Sequence, residues 1–173
     1  SEGCVGNCSF CKVKFAKGKL FSYPEEEIVK SIESDLQNGA KELWLTSEDS
    51  GAFGLDREDK KPKLPQLLKK ILALKHRFKI RLGMMNPNNV IPIIDELVEI
   101  YKDEKMLKFL HIPIQSASNK ILKDMNRFYK IEDAERIISR FKKEFPDTTI
   151  ATDIIAGYPT ETEQDHKENL NFI

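Results

Sequence analysis

The chain reads as an α/β protein built on a parallel sheet. Short apolar strand segments alternate with amphipathic helical segments four times. Each strand segment is followed by a helix, which is what right-handed crossovers between parallel strands require. Polar clusters recur where the strand segments end: Ser47-Glu48-Asp49, Asn86, Gln115-Ser116 and Gly157. In parallel β/α folds, sites are built at that end of the sheet.

The elements follow in order. Pro24 suits the first turn of a helix. Ile28, Val29, Ile32 and Leu36 form its apolar face, and Gly39 sits where it should stop. Glu42 to Thr46 is the first strand. The run from Ser47 to Lys63 is long for a strand–helix link and suggests a functional or mobile loop. Pro65 opens a helix that turns Leu67, Leu68, Ile71 and Leu72 inward. Lys79 to Met84 is the second strand. Asn88 or Asn89 is placed to cap one helix running through Val90, Ile94, Leu97 and Tyr101. Phe109 to Gln115 is the third strand, with a short helix after Ser118. A longer helix spans Glu132 to Phe145 with Ala134, Ile137, Ile138 and Phe141 inward. Thr149 to Ala156 is the fourth strand, and a final helix starts near Thr162.

A chain of 173 residues suits one domain with a sizeable core. Its 28 basic and 28 acidic residues balance, so no global basic field grips nucleic acid by counterion release. No apolar run approaches the roughly 20 residues of a membrane span, so no membrane partner is expected.

Cys4, Cys8 and Cys11 are the only cysteines, spaced C-x3-C-x2-C. An odd number argues against a disulfide framework. Clustered thiols of this kind point to a reducing compartment, the cytoplasm, and to metal or redox work. A cubane cluster takes four cysteines, one per iron, so three would hold a [4Fe–4S] cluster with one iron left open. A structural zinc site would want a fourth ligand, and His76, His111 and His166 are all distant in sequence. A ferredoxin-type carrier would need a fourth cysteine. Gly3 and Gly6 let the loop fold tightly, and Phe10 lies between the second and third cysteines.

The three-cysteine loop with an aromatic before its last cysteine resembles the signature of the radical S-adenosylmethionine superfamily. Further segments resemble its methylthiotransferases: Lys17-Gly18 followed by Ser22-Tyr23-Pro24, LWLTSEDSGAFGLD from Leu43, RLGMMNP from Arg81, HIPIQSASNKILKDMNRFY from His111 and ATDIIAGYPTET from Ala151. The TSED form is similar to the archaeal and eukaryotic branch. The resemblance implies a partial (β/α)6 barrel lacking its first and last strands. It implies a radical core spanning 1–173, a fragment without an N-terminal domain that holds a second [4Fe–4S] cluster and without a C-terminal RNA-binding domain. The implied activity is a sulfur-transferring transferase that converts N6-threonylcarbamoyladenosine beside the tRNA anticodon to its 2-methylthio derivative. It would draw on S-adenosylmethionine and an electron donor, and the isolated fragment is expected to be inactive in the full reaction. Methylthiolation of a ribosomal protein residue and a non-catalytic iron–sulfur module are the rival readings.

The resemblance makes Cys4, Cys8 and Cys11 the metal ligands. Phe10 would stack on the adenine, and Glu48 and Asp49 would bind the methionine ammonium. Arg81 would pair with the carboxylate, and Gln115 and Ser116 would hydrogen-bond the ribose or carboxylate, with Ser118 capping the next helix. Asp153 interrupts an apolar strand and is a site candidate. Gly157 leaves room for the adenosyl group. His111 reads as a satisfied core histidine, and Arg127 and Tyr129 as weak substrate-contact candidates.

Overall fold

A computed structural model describes residues 1–173. A short helix absent from the sequence reading, α1 (Val13–Lys17), follows the cysteines. Helix α2 (Glu25–Gln37) starts directly after Pro24 and buries Ile32 and Leu36. Strand β1 (Glu42–Leu45) pairs in parallel with β2 (Lys79–Leu82), Glu42 opposite Lys79 and Leu45 opposite Leu82. Between them lies α3 (Leu64–Leu72), with Pro65 in its first turn. Strand β3 (Phe109–His111) pairs in parallel with β4 (Thr149–Ala151). A bridge between Ile80 and Met106, and the Met85 N–H donating to His111 O at 3.0 Å, connect β2 to β3. The spatial order of the strands is therefore their order in the chain.

Helices α5 (Ile94–Tyr101) and α7 (Ile131–Glu144) join α2 and α3 in one layer. Leu43, Ile80, Leu82 and Leu110 meet Leu68, Ile71, Leu97, Tyr101, Ile137 and Phe141 there, all buried. Each such aliphatic or aromatic side chain contributes about 1.5–3 kcal/mol relative to exposure. Because side chains alternate along a strand, the other face of the sheet carries Trp44, Arg81, Phe109 and His111, and it is only partly covered.

Local chemistry changes four expectations. The single helix expected after Asn88 is two pieces, α4 (Pro87–Val90) and α5, separated by a 3-10 turn at Ile91–Ile93. Pro92 lacks an N–H and interrupts the helical ladder. Its cap is Asn86, whose side chain accepts from the Asn88 N–H at 3.2 Å. The third and fourth strands are shorter than the apolar runs suggest. Pro113 has no N–H to donate, and the Thr152 hydroxyl steps in, donating to Ile112 O at 2.8 Å and accepting from the Ile114 N–H at 3.2 Å. The strands meet again at a Gln115–Ile154 bridge. The first half of the long link after β1 is packed down, while residues 56–61 are exposed. Residues 49–53 contain a 3-10 turn (Ser50–Ala52) and are buried. Gly54 N–H donates to Ser22 Oγ at 2.9 Å, and Lys63 N–H donates to Phe53 O at 2.7 Å. Ser118 stands at the cap position of α6 (Asn119–Asp124) without capping it; its side chain is turned to Asp165, where its hydroxyl donates to Oδ1 at 2.6 Å.

That contact ties α6 to the final helix, α8 (Glu163–Phe172). Asp165 also closes a capping box with Thr162, whose N–H donates to Oδ2 at 2.9 Å, and it pairs with Lys120 at 3.0 Å. The Ser118, Thr162 and Lys120 donors hold its carboxyl well below the usual carboxylate range. A carboxylate so depressed stabilises the fold fully above about pH 4, and its contribution is lost as pH falls through the depressed value. Asp165→Asn is therefore expected to cost about 1.5–3 kcal/mol at neutral pH, with the variant and the parent converging in acid. Denaturant unfolding of both across pH reads this.

Candidate functional site

The cysteine loop is shaped by contacts to distant backbone. Glu2 and Phe21 exchange hydrogen bonds at 3.0 and 2.9 Å, and Cys4 N–H donates to Gly18 O at 3.3 Å. Gly3 is left-handed, at φ +67°, and a Cβ there would lie 2.1 Å from Lys19 O, so only glycine fits. Cys11 N–H donates to Cys8 O at 3.1 Å and turns the chain at Ser9 and Phe10. The loop is then stitched to the end of α6. Ser9 N–H donates to Met125 O at 3.1 Å, Ser9 Oγ to Asp124 O at 2.9 Å, and Asn126 Nδ2 to Asn7 O at 2.6 Å. The Tyr158 hydroxyl lies 2.8 Å from Ser9 Oγ and donates to Asp124 O at 3.0 Å.

Each sulfur accepts one hydrogen bond. Gly6 N–H donates to Cys4 Sγ at 3.2 Å, Val13 N–H to Cys11 Sγ at 3.4 Å, and Arg127 Nη1 to Cys8 Sγ at 3.4 Å. Burial pushes the Cys4 thiol up, and the Gly6 N–H partly offsets this. The thiols are half-buried and line a pocket of about 430 Å³, within the roughly 300–1,000 Å³ of ligand pockets. A Cβ on Gly6 would stand 3.2 Å from Cys4 Sγ and 3.8 Å from Cys8 Sγ, so glycine keeps the space beside two sulfurs clear. No group of three His, Cys, Asp or Glu side chains converges on a single metal-ion position. A cubane makes no such demand, since each thiolate takes a different iron. Three sulfur donors, each with an N–H donor, around a cleared pocket fit such a cluster.

The other expected residues fall into two groups. Phe10 is half-buried in the turn between its cysteines, and Glu48 is half-buried beside the packed loop. Asp49 is buried and lies with Cys8 and Arg127 around a small cavity. Its Oδ1 accepts from the Gly51 N–H at 3.0 Å and the Asn86 N–H at 3.1 Å, and its Oδ2 from Asn89 Nδ2 at 2.7 Å. Burial raises its pKa, and the Asn86, Asn89 and Gly51 donors oppose the shift. Its carboxylate is thus engaged in joining the loops that follow β1 and β2. Gln115 ends the β3 run in a left-handed conformation, φ +68°, a strain of order 1–2 kcal/mol for a non-glycine residue. Ser116 is fully buried, its hydroxyl donating to Asn169 Oδ1 at 3.3 Å and accepting from the Ser118 N–H at 3.1 Å. Gly157 is exposed and left-handed, at φ +75°, with open space where a Cβ would be.

Arg81 and Asp153 are engaged by other side chains. Arg81 is stacked between the Trp44 ring at 4.7 Å and the Phe109 ring at 4.1 Å. Asp153 meets His111 Nε2 at 2.8 Å, so His111 is a half-exposed partner of a carboxylate rather than a core histidine. Sequence reasoning underrated Arg127, read Asn89 only as a candidate helix cap, and passed over Asn126 and Tyr158. The signal for the first was available: an asparagine just past a short helix favours the left-handed turn that Asn126 adopts at φ +58° and aims the next residue back.

The fold and the thiol loop define a parallel β/α domain carrying a three-cysteine site at its strand ends. The profile of the Radical SAM superfamily matches residues 1–173, and the chain belongs to that superfamily. It is similar over all 173 residues to a "Probable threonylcarbamoyladenosine tRNA methylthiotransferase" of Archaeoglobus fulgidus at 47% identity, covering 40% of that protein. The threonylcarbamoyladenosine tRNA methylthiotransferases of Xenopus laevis and Homo sapiens match at 43% and 41%, with 31% and 30% of their lengths covered. The chain thus spans about two fifths or less of these curated relatives. The branch resemblance read from the motifs is borne out. A cobalamin-dependent S-adenosylmethionine radical enzyme, OxsB, solved with aqua-cobalamin and S-adenosylmethionine bound, superposes with TM-score 0.75 at 16% identity. The match covers 99% of this chain and 25% of that one, a likeness of fold.

Asp49→Ala leaves three donors without their acceptor in a buried position. The expected cost is about 1–3 kcal/mol for each donor that water cannot reach. Faster amide exchange at Gly51 and Asn86 than in the parent is the measurement that checks it.

Proposed function

We propose that the chain is the S-adenosylmethionine-binding core of an enzyme that methylthiolates N6-threonylcarbamoyladenosine in tRNA, with Cys4, Cys8 and Cys11 holding three irons of a [4Fe–4S] cluster. The observation that carries this is the three-thiol pocket at the strand ends of a chain whose full length matches tRNA methylthiotransferases at 41–47% identity. When bound, such a cluster supplies one electron for reductive cleavage of S-adenosylmethionine, received from an external donor.

The chain's own residues bind and orient. Gly6, Val13 and Arg127 donate to the three sulfurs and fix where they point. Glu48, half-buried beside the engaged Asp49, is the better of the two acidic residues for the methionine ammonium. Gln115 is proposed for the ribose or carboxylate, since strained backbone at a strand end marks functional positions. Phe10 is proposed for adenine stacking. Asp49 and Ser116 serve by holding the surrounding loops, and Gly157 by its left-handed turn. Arg81 and the His111–Asp153 pair line the face of the sheet away from the helices and are proposed for the substrate side. Sequential parallel strands with helices on one face support a partial β/α barrel. A second cluster and much of the tRNA grip belong, in this reading, to domains outside the radical core.

Nucleoside analysis of tRNA from a strain lacking the gene is expected to show threonylcarbamoyladenosine without its methylthio group; unchanged methylthiolation would refute the assignment. Cys8→Ala is expected to abolish the iron–sulfur absorbance after anaerobic reconstitution while circular dichroism stays near that of the parent. An intact absorbance band in that variant would refute the ligand set.

A further inference from the structure

Of the three thiols, Cys8 alone has a charged donor. Gly6 and Val13 offer neutral backbone N–H groups to Cys4 and Cys11, whereas Cys8 Sγ receives Nη1 of Arg127 at 3.4 Å. The guanidinium is fixed on its other sides. Nη2 donates to Pro113 O at 2.8 Å, and Nε and Nη2 each lie 3.3 Å from the Tyr129 hydroxyl. That hydroxyl, on a buried side chain, donates to Ile114 O at 2.5 Å. One arm of the fork is therefore anchored to the exit of β3, and the other reaches a sulfur 119 positions away in sequence.

We propose that Arg127 is a positioning residue for the iron–sulfur site, holding the Cys8 sulfur at the end of β3 and raising the reduction potential of the cluster bound there. This rests on the reading of Cys4, Cys8 and Cys11 as cluster ligands. Two physical arguments carry it. Charge-assisted hydrogen bonds are about twice as strong as neutral ones, so this contact dominates the three. Reduction adds negative charge to the cluster, and a fixed cation hydrogen-bonded to one of its sulfurs favours the reduced form; hydrogen bonds to the sulfurs are among the determinants of cluster potential. Arginine suits the task because its fork holds several acceptors at once and keeps its charge at every working pH. The neighbouring tether from Asn126 to Asn7 O, at 2.6 Å, secures the same loop without a charge.

The test is a redox titration of the anaerobically reconstituted chain, followed by electron paramagnetic resonance, with iron and sulfide counted for each variant. Arg127→Gln is expected to load iron like the parent and to be reduced about tenfold less readily, a shift of about 59 mV to lower potential for a one-electron couple. Arg127→Lys should recover most of that shift. An Arg127→Gln cluster with the parent's potential overturns the proposal, as does an Arg127→Lys shift as large as that of Arg127→Gln. If Arg127→Gln fails to load, Arg127→Lys decides: loading with the parent's potential supports the charge, and failure assigns Arg127 a purely structural role. A parent chain that takes up no four-iron cluster removes the cluster reading itself, a result distinct from every variant outcome.

Discussion

Eight residues carrying three thiols cannot bury a core, so the shape of the cysteine loop has to be imposed from outside it. Two sets of backbone contacts do this. Residues 18–21 hold the first cysteine, and the segment after α6 holds the second and third. That segment is fixed in turn. Ser118 and Lys120 at the start of α6 are bound by Asp165, and the Ser116 hydroxyl and Ala117 N–H are bound by Asn169. The last helix thereby positions the first eleven residues through α6, over most of the chain length. Local stability at the loop follows from packing elsewhere, as expected for a segment with few apolar contacts of its own.

The sheet divides the labour by face. One face is a continuous apolar layer under α2, α3, α5 and α7. The other carries an arginine between two rings and a histidine–carboxylate pair. Strand ends join the two regimes. Asp49 shows how: a carboxylate buried at the end of β1 accepts from the loop after β2, so adjacent strand exits move as one unit. A satisfied buried polar network of this kind rigidifies the ground on which a site stands.

The helices and strands were legible because their apolar positions recur at 3.6 and 2 residues, and the burial of Ile32, Leu68, Ile137 and Phe141 follows that periodicity directly. The metal-ligand candidates were legible because their spacing is local. What the sequence hid was long-range pairing. Nothing near Asp49 announces Asn89, nothing near Ser118 announces Asp165, and nothing near Cys8 announces Arg127, because these partners lie 40, 47 and 119 positions apart. Pro92 and Pro113 were visible as residues, but their effect depended on whether a neighbour would replace the missing donor. At Thr152 a hydroxyl did so, and at Pro92 the helix broke.

Trp44 is the only tryptophan in the chain, it is 63% exposed, and a guanidinium lies 4.7 Å from its ring centre. Its fluorescence therefore has one source, on the face of the sheet that the helices leave bare. Whatever displaces Arg81 from between its two rings changes the surroundings of the only indole, so the chain carries its own optical reporter for events on that face.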